Sequence, residues 1–230
     1  MNANIIGKAN SIVNEARTAT LATIGADGYP CAATVSNDKT DGIYKMHFSS
    51  DMDGVKAQSI RQNPHVSVCY CKGSDNVTLI GEARVLTDKA IKYELWQDWF
   101  IEHFPGGEND SNYCVIEFTT QRVSLWIDGI ATDGPVSDLL KIQSRCGLLC
   151  GFCAYKESAN CGSCIETNGH PFHGECPVAV CCQNKGYTHC GQCPKMPCEI
   201  LFAYSCKEGE HCDRPKGARL SMLRAWKKYC

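Results

Sequence analysis

The chain has 230 residues, 18 of them cysteine, and a formal net charge of −2. Residues 1–144 carry 12 Lys and Arg against 18 Asp and Glu, while residues 145–230 carry 11 against 7, so the halves hold −6 and +4. The basic residues are scattered rather than blocked together, which excludes a nucleic-acid footprint, and no run approaches the ~20 apolar residues of a membrane-spanning helix.

Ile5, Ala9, Ile12, Val13 and Ala16 recur at helical spacing and predict an amphipathic helix over 4–16. The period then changes to two. Thr18–Ile24 and 31–36 read as strands joined by Ala26-Asp27-Gly28-Tyr29-Pro30, a turn with glycine available for positive φ. A third strand over 43–49 is entered through Asp41-Gly42. A short helix over 54–63 stops before Pro64, whose ring disfavours helix in the residue ahead of it. Strands follow over 65–71 and 77–86. The best helix lies over 87–104, where Thr87 can cap, Asp88 suits the first turn, and Ile91, Leu95, Trp96, Trp99 and Phe100 make an apolar stripe. Residues 114–127 are long enough for one bent strand or two. About six antiparallel strands with helices at the rim predict a small barrel.

Several ordered motifs in this half carry a resemblance. Leu21-Ala-Thr-Ile-Gly-Ala-Asp-Gly-Tyr-Pro30, Phe48-Ser-Ser-Asp-Met-Asp-Gly-Val-Lys56 and Asn63-Pro-His-Val-Ser-Val68 are followed by Gly81-Glu-Ala-Arg-Val, Leu95-Trp, Phe104-Pro-Gly-Gly and Arg122-Val-Ser-Leu-Trp126. Together, over about residues 5–130, they resemble the pyridoxamine-phosphate-oxidase-like split barrel, in its general-stress-protein branch. The resemblance implies FMN bound at the interface of a homodimer. It also implies that Lys56 pairs with the FMN phosphate, that Ser49 and Ser50 donate to it, and that Ala33, Thr34 and Val35 line the flavin ring largely through backbone groups. A phosphate needs a cation and donors converging on it, and Ser49 and Ser50 leave a strand end with Lys56 on the next helical turn. The oxidase branch has arginine at the positions of Ala33 and Val55. Lacking both, this chain departs from the pyridoxamine oxidase reaction and has fewer cations for the phosphate.

Residues 131–145 contain a Gly/Pro break and read as a linker between a barrel over 1–130 and a cysteine-rich domain over 146–230. Fourteen of the 18 cysteines follow Arg145. Cys146-Gly-Leu-Leu-Cys150-Gly-Phe-Cys153, Cys161-Gly-Ser-Cys164, Cys176, Cys181, Cys190-Gly-Gln-Cys193 and Cys198 supply ten candidate metal ligands, because short Cys-x2-Cys steps turn two thiolates toward one point. So short a tail buries little apolar surface and needs an inorganic or covalent staple. The first 25 residues, interrupted by Asn10, Ser11, Asn14 and Glu15, form no secretory signal, and a cytoplasmic location disfavours stable disulfides. The adjacent Cys181-Cys182 pair keeps a disulfide-knotted tail as the alternative. Over about 146–205 the pattern resembles a small bacterial and archaeal cysteine-rich domain of uncharacterised function, which implies metal or cluster ligation and names no activity.

Ten cysteines exceed the four of a structural zinc and match two 4Fe–4S clusters with two left over, and Cys176-Pro177 and Cys193-Pro194 resemble the Cys-Pro ends of cluster motifs. Glycine within the Cys-x2-Cys steps and the nearby His170, His173 and His189 suit zinc instead. Cys146, Cys150 and Cys153 have radical-SAM spacing, but the tail is too short for that barrel. Cys206, Cys212 and Cys230 lie outside the repeated pattern. A final helix over 217–229 gathers Leu220, Leu223, Trp226 and Tyr229 on one face. His47, His65 and His103 read as strand or helix-end residues, Cys31, Cys69, Cys71 and Cys114 as small hydrophobes, and no catalytic residue is singled out. The expected function is a flavin-dependent reductase in which iron–sulfur clusters, fed by a protein donor such as a ferredoxin, pass electrons to FMN for reduction of a small organic substrate. The alternative is a non-catalytic flavin-binding sensor whose tail is a structural zinc module.

Overall fold

Alternating apolar and polar residues build the larger of two units. The computed structural model describes residues 3–205 and 217–230, and Cys206 and Cys212 lie outside the described residues. The chain divides into Ala9–Val136 and a second unit of Met1–Lys8 with Ser137–Cys230. Helix α1 (Ala3–Glu15) leads into eight strands: β1 (Thr18–Ile24), β2 (Pro30–Ser36), β3 (Lys39–Asp41), β4 (Lys45–Asp51), β5 (His65–Lys72), β6 (Asp75–Leu86), β7 (Tyr113–Ile127) and β8 (Ile130–Pro135). They form one sheet in the order β2-β1-β5-β6-β7-β4-β3, with β8 also paired to β7. Every pairing is antiparallel.

β7 is one long strand with three partners. Along one edge it pairs with β6; along the other, its first half pairs with β4 and its second half with β8. A register shift at Ile80/Gly81 lets β6 follow the bend. A Cβ on Gly81 would stand 2.1 Å from the Thr119 carbonyl oxygen, so only glycine fits there. The sheet curls over a core of Leu21, Val68, Leu79, Phe48, Met46 and Phe118, all fully buried. Asn37 ties α1 to the sheet, since its amide donates to the Val13 and Ala16 carbonyls at 2.9 Å each and accepts from the Tyr70 hydroxyl at 3.0 Å.

α2 (Val55–Gln62) matches the helix expected before Pro64. The long helix expected over 87–104 is instead broken. α3 spans Lys89–Leu95, Trp96 is extended, and a 3-10 turn covers Asp98–Glu102. The reason is aromatic packing. The break brings Trp96, Phe100 and Phe104 around Tyr113, at centroid distances of 5.5, 6.0 and 5.1 Å, and burial of these rings outweighs continued helix. The cap is Asp88 rather than Thr87: its Oδ1 accepts from the Ala90 and Ile91 amides.

Residues 131–145, expected as a linker, instead hold most of β8 and helix α4 (Val136–Leu140). The second unit continues with short helices α5 (Tyr155–Ser158), α6 (Ser163–Glu166), α7 (Pro177–Asn184) and α8 (Glu199–Ser205), and ends in α9 (Ala218–Tyr229). α9 is its apolar centre. Leu220, Met222, Leu223, Ala225 and Trp226 are buried, and the Trp226 indole donates to the Leu139 carbonyl at 3.0 Å. Two cysteine-flanking glycines meet its backbone: a Cβ on Gly147 would lie 2.4 Å from the Arg219 carbonyl oxygen, and one on Gly191 2.4 Å from that of Leu223. These carbonyls are one helical turn apart.

Gly81→Ala should lower the stability of the barrel unit by about 1–3 kcal/mol, because the new methyl meets main chain rather than a movable side chain. Urea unfolding checks this, and an unshifted midpoint would show that the bulge has slack.

Candidate functional site

Strand β4 ends in Ser49, Ser50 and Asp51, and α2 opposite begins with Val55 and Lys56. Alternation along β4 separates the two serines. Ser50 is buried and its hydroxyl donates to Asp51 Oδ1 at 3.3 Å. Ser49 turns away, to the Tyr113 hydroxyl at 3.3 Å, while its amide donates to the Asp38 carboxylate. The Lys56 ammonium lies 3.7 Å from Asp51 Oδ1, the same oxygen that Ser50 reaches. Gly54 makes room for this carboxylate, since a Cβ there would sit 2.0 Å from Asp51 Oδ2.

Of the three residues assigned to a phosphate, the structure therefore brings Ser50 and Lys56 together and leaves Ser49 apart. A hydroxyl and an ammonium aimed at one anionic oxygen are what a phosphate oxygen requires. Asp51, which sequence reasoning did not single out, holds that place with its own carboxylate. The residues fit a phosphomonoester bound by one cation in competition with Asp51. Val55, where the oxidase branch is expected to have arginine, is 66% exposed. Ala33, Thr34 and Val35 lie on β2, the edge strand, which approaches β4; Val35 is buried, Ala33 half-buried and Thr34 exposed.

Within the second unit eleven of the described cysteines fall into two sets, and Cys230 belongs to neither. Cys146, Cys150, Cys153, Cys161, Cys164 and Cys176 line a cavity of about 720 Å³, joined by Tyr155, Lys156, Phe172, His173 and Arg219. Cys181, Cys190, Cys193 and Cys198 line a second cavity, of about 20 Å³, with Cys182, Lys185, Tyr187 and Met196. The ten predicted ligands thus divide six and four. Cys182 is an addition, whose only signal in the sequence was its adjacency to Cys181. All the described cysteines are free thiols.

Two of the three Cys-Gly-x-Cys steps, 150–153 and 190–193, fold into the same 3-10 turn, in which the second cysteine's amide donates to the first one's carbonyl, at 3.2 and 3.0 Å. In the larger set Cys164 Sγ accepts from the Arg145 amide at 3.3 Å, and Cys146 Sγ from Arg219 Nη1 at 3.6 Å. Burial pushes the Cys164 thiol up to about 11. Burial first, then the neighbouring Cys146 and Cys164, raises that of Cys150. A metal must displace these protons, so its affinity falls with pH. Among the described residues no three Cys, His, Asp or Glu side chains are gathered closely enough to hold an ion; the thiols ring their cavities. Of the candidate histidines, His173 lines the larger cavity, His170 lies 3.7 Å from Glu175 at the surface, and His189 is buried against Trp226.

A family described as pyridoxamine 5'-phosphate oxidase like matches residues 5–144, more than half of the chain. The chain belongs to this family. Residues 142–203 match a second family, described as a protein of unknown function (DUF3795). Among solved structures the chain is similar to a protein of Clostridium acetobutylicum related to general stress protein 26 of B. subtilis, of the pyridoxinephosphate oxidase family. That likeness has 20% identity and a TM-score of 0.55, and covers 60% of this chain and 99% of the other. General stress protein 26 of Bacillus anthracis is likewise similar, at 22% identity and a TM-score of 0.50, over 57% of this chain and 98% of the other. No curated protein matches. The barrel unit is thus a split barrel, a fold with a flavin-related role. Among the described residues no helix is long and apolar enough to cross a membrane.

Beside Ser50, the fully buried Cys114 has its thiol pushed up to about 11 by burial and donates to the Ser50 carbonyl at 3.3 Å. An unfolded thiol titrates near ~8.5. The unfolded state therefore loses its proton first as pH rises, and stability is lost between about pH 9 and 11, by up to about 1.4 kcal/mol per unit. Cys114→Ala should flatten that limb of the pH–stability curve in urea unfolding; an unchanged slope would assign it to another group.

Proposed function

We propose that the chain is an FMN-dependent oxidoreductase in which the cysteine-rich unit delivers electrons for reduction of a small organic substrate. The observation that carries this reading is the convergence of Ser50 and Lys56 on one anionic oxygen at the end of β4, in a chain of the pyridoxamine 5'-phosphate oxidase like family. Lys56 and Ser50 hold the phosphate, and the β2 backbone at Ala33, Thr34 and Val35 lines the ring. Bound flavin would supply hydride and single-electron transfer, linking one-electron carriers to a two-electron reduction. The electrons come from a carrier protein of the ferredoxin class. The working form is a cytoplasmic homodimer; the exposed Tyr29, Val55, Trp126 and Ile130 of the barrel unit supply apolar surface for a second copy.

One observation favours a second reading. The four-cysteine set around the smaller cavity has the ligand number and sulfur donors of a structural zinc site, and a wholly zinc-filled tail would make the chain a flavin-binding sensor rather than a reductase. Visible spectra of anaerobically purified protein separate the two. A reductase is brown, with broad absorbance beneath the flavin bands that bleaches with a reduced ferredoxin; a yellow, iron-free protein that no carrier reduces is the sensor.

Two substitutions test the phosphate assignment in opposite directions. Lys56→Ala should weaken FMN binding roughly ten- to a hundredfold, as expected for loss of a hydrogen bond to a charged group. Asp51→Asn removes the competing carboxylate charge and should tighten it. Both are read by fluorescence titration of the flavin-free protein. Unaltered affinity in both variants would put the phosphate elsewhere.

A further inference from the structure

The two cysteine sets differ in size, enclosure and charged surroundings. The smaller cavity, about 20 Å³, has room for little more than one water-sized particle. In a tetrahedral site with metal–sulfur bonds of ~2.3 Å the sulfurs stand within about 4 Å of one another. The four thiols line this space without being drawn together as a bound ion would hold them, and the space between them admits one ion but no cluster. The larger cavity, about 720 Å³, is far too wide for that. Neither lining contains an Asp or Glu carboxylate, so both donor sets are soft and select thiophilic metals over Mg²⁺ or Ca²⁺.

Hydrogen bonding narrows the ligands of the smaller set. The Cys182 thiol donates to the Tyr187 carbonyl at 3.3 Å, a bond it would have to give up to ligate a metal. Cys182 is also within hydrogen-bond reach of Cys190. That leaves Cys181, Cys190, Cys193 and Cys198 as ligands, with Cys182 beside them positioning Cys190. The larger set has the opposite character. Amide and guanidinium groups donate to its sulfurs at Cys164 and Cys146, the outer-shell pattern that tunes clusters. Lys156 and the stacked Tyr155–Phe172 pair, with centroids 4.8 Å apart, line or flank its open side.

We propose that the two sets hold different inorganic groups: one Zn²⁺ on Cys181, Cys190, Cys193 and Cys198, and one polynuclear iron–sulfur cluster in the cavity ringed by Cys146, Cys150, Cys153, Cys161, Cys164 and Cys176. This narrows the two-cluster expectation to one cluster and one zinc. It rests on the iron–sulfur part of the proposed function and is independent of the flavin. The zinc site is structural and closed; the cluster site faces solvent, where a carrier protein can deliver electrons one at a time.

The test uses the full chain, purified anaerobically, with zinc, iron, acid-labile sulfide and FMN measured on the same samples. Wild type should hold about one zinc, and about four iron with equal sulfide. Cys193→Ser should lose zinc and keep iron, Cys150→Ser should lose iron and sulfide and keep zinc, and Cys182→Ser should keep both. Should a variant fail to fold, zinc-edge X-ray absorption of the wild type decides instead, with four sulfurs at ~2.3 Å expected. About twice that iron with no zinc, zinc alone without sulfide, or nitrogen among the zinc ligands would overturn the assignment. Loss of FMN from protein with its metals intact counts against the flavin reading alone.

Discussion

The barrel unit depends on β7. One strand serves β6 along its whole length while passing from β4 to β8 on its other edge, so the sheet must curl where the partner changes. The bulge at Gly81 supplies that bend, and the missing side chain is what allows the Thr119 carbonyl so close. Curvature in turn brings β2 toward β4 and sets the start of α2 against the end of β4. The phosphate-like convergence at Asp51 Oδ1 is therefore a product of sheet geometry as much as of the residues that make it.

The cysteine-rich unit obeys a different constraint. Its helices before α9 are four to eight residues long, too short to be stable through their own hydrogen bonds. Order comes from α9, whose buried face is the main apolar surface of the unit, and from the backbone approach of Gly147 and Gly191 to consecutive turns of that helix. The glycine after cysteine at 147 and 191 has a steric origin: it docks Cys146 of the larger set and Cys190 of the smaller against α9. The proposed inorganic ligation would supply what so small an apolar core cannot.

Charge placement links the site to its chemistry. Asp51 neutralises Lys56 and occupies the Ser50 hydroxyl, so the donors remain satisfied, and an incoming phosphate has to offer more than a single carboxylate does. A dianionic phosphate meets that requirement where a carboxylate-bearing metabolite does not. In the cysteine sets the compensating charges are Arg219 and Lys156 on one side and Lys185 on the other. Each set therefore carries its own counter-cations.

The split barrel was legible in the residues because period-two patterns, turn glycines and the ordered motifs from Leu21 to Trp126 are local signals. So was the list of ten cysteines that line the two cavities, since short Cys-x2-Cys steps are a local device. The sequence by itself determined which residue types were available: hydroxyls and a lysine at a strand end, and thiols in abundance. Only the tertiary structure decided which of them meet. Alternation along β4 turned Ser49 from Ser50, ring packing around Tyr113 broke the helix expected over 87–104, and the residues between Pro30 and Ser36 became an edge strand. The division of the cysteines into six and five was likewise invisible in the spacing. Cys176 and Cys181, five residues apart in sequence, face different cavities because α7 begins between them and turns the later thiols away.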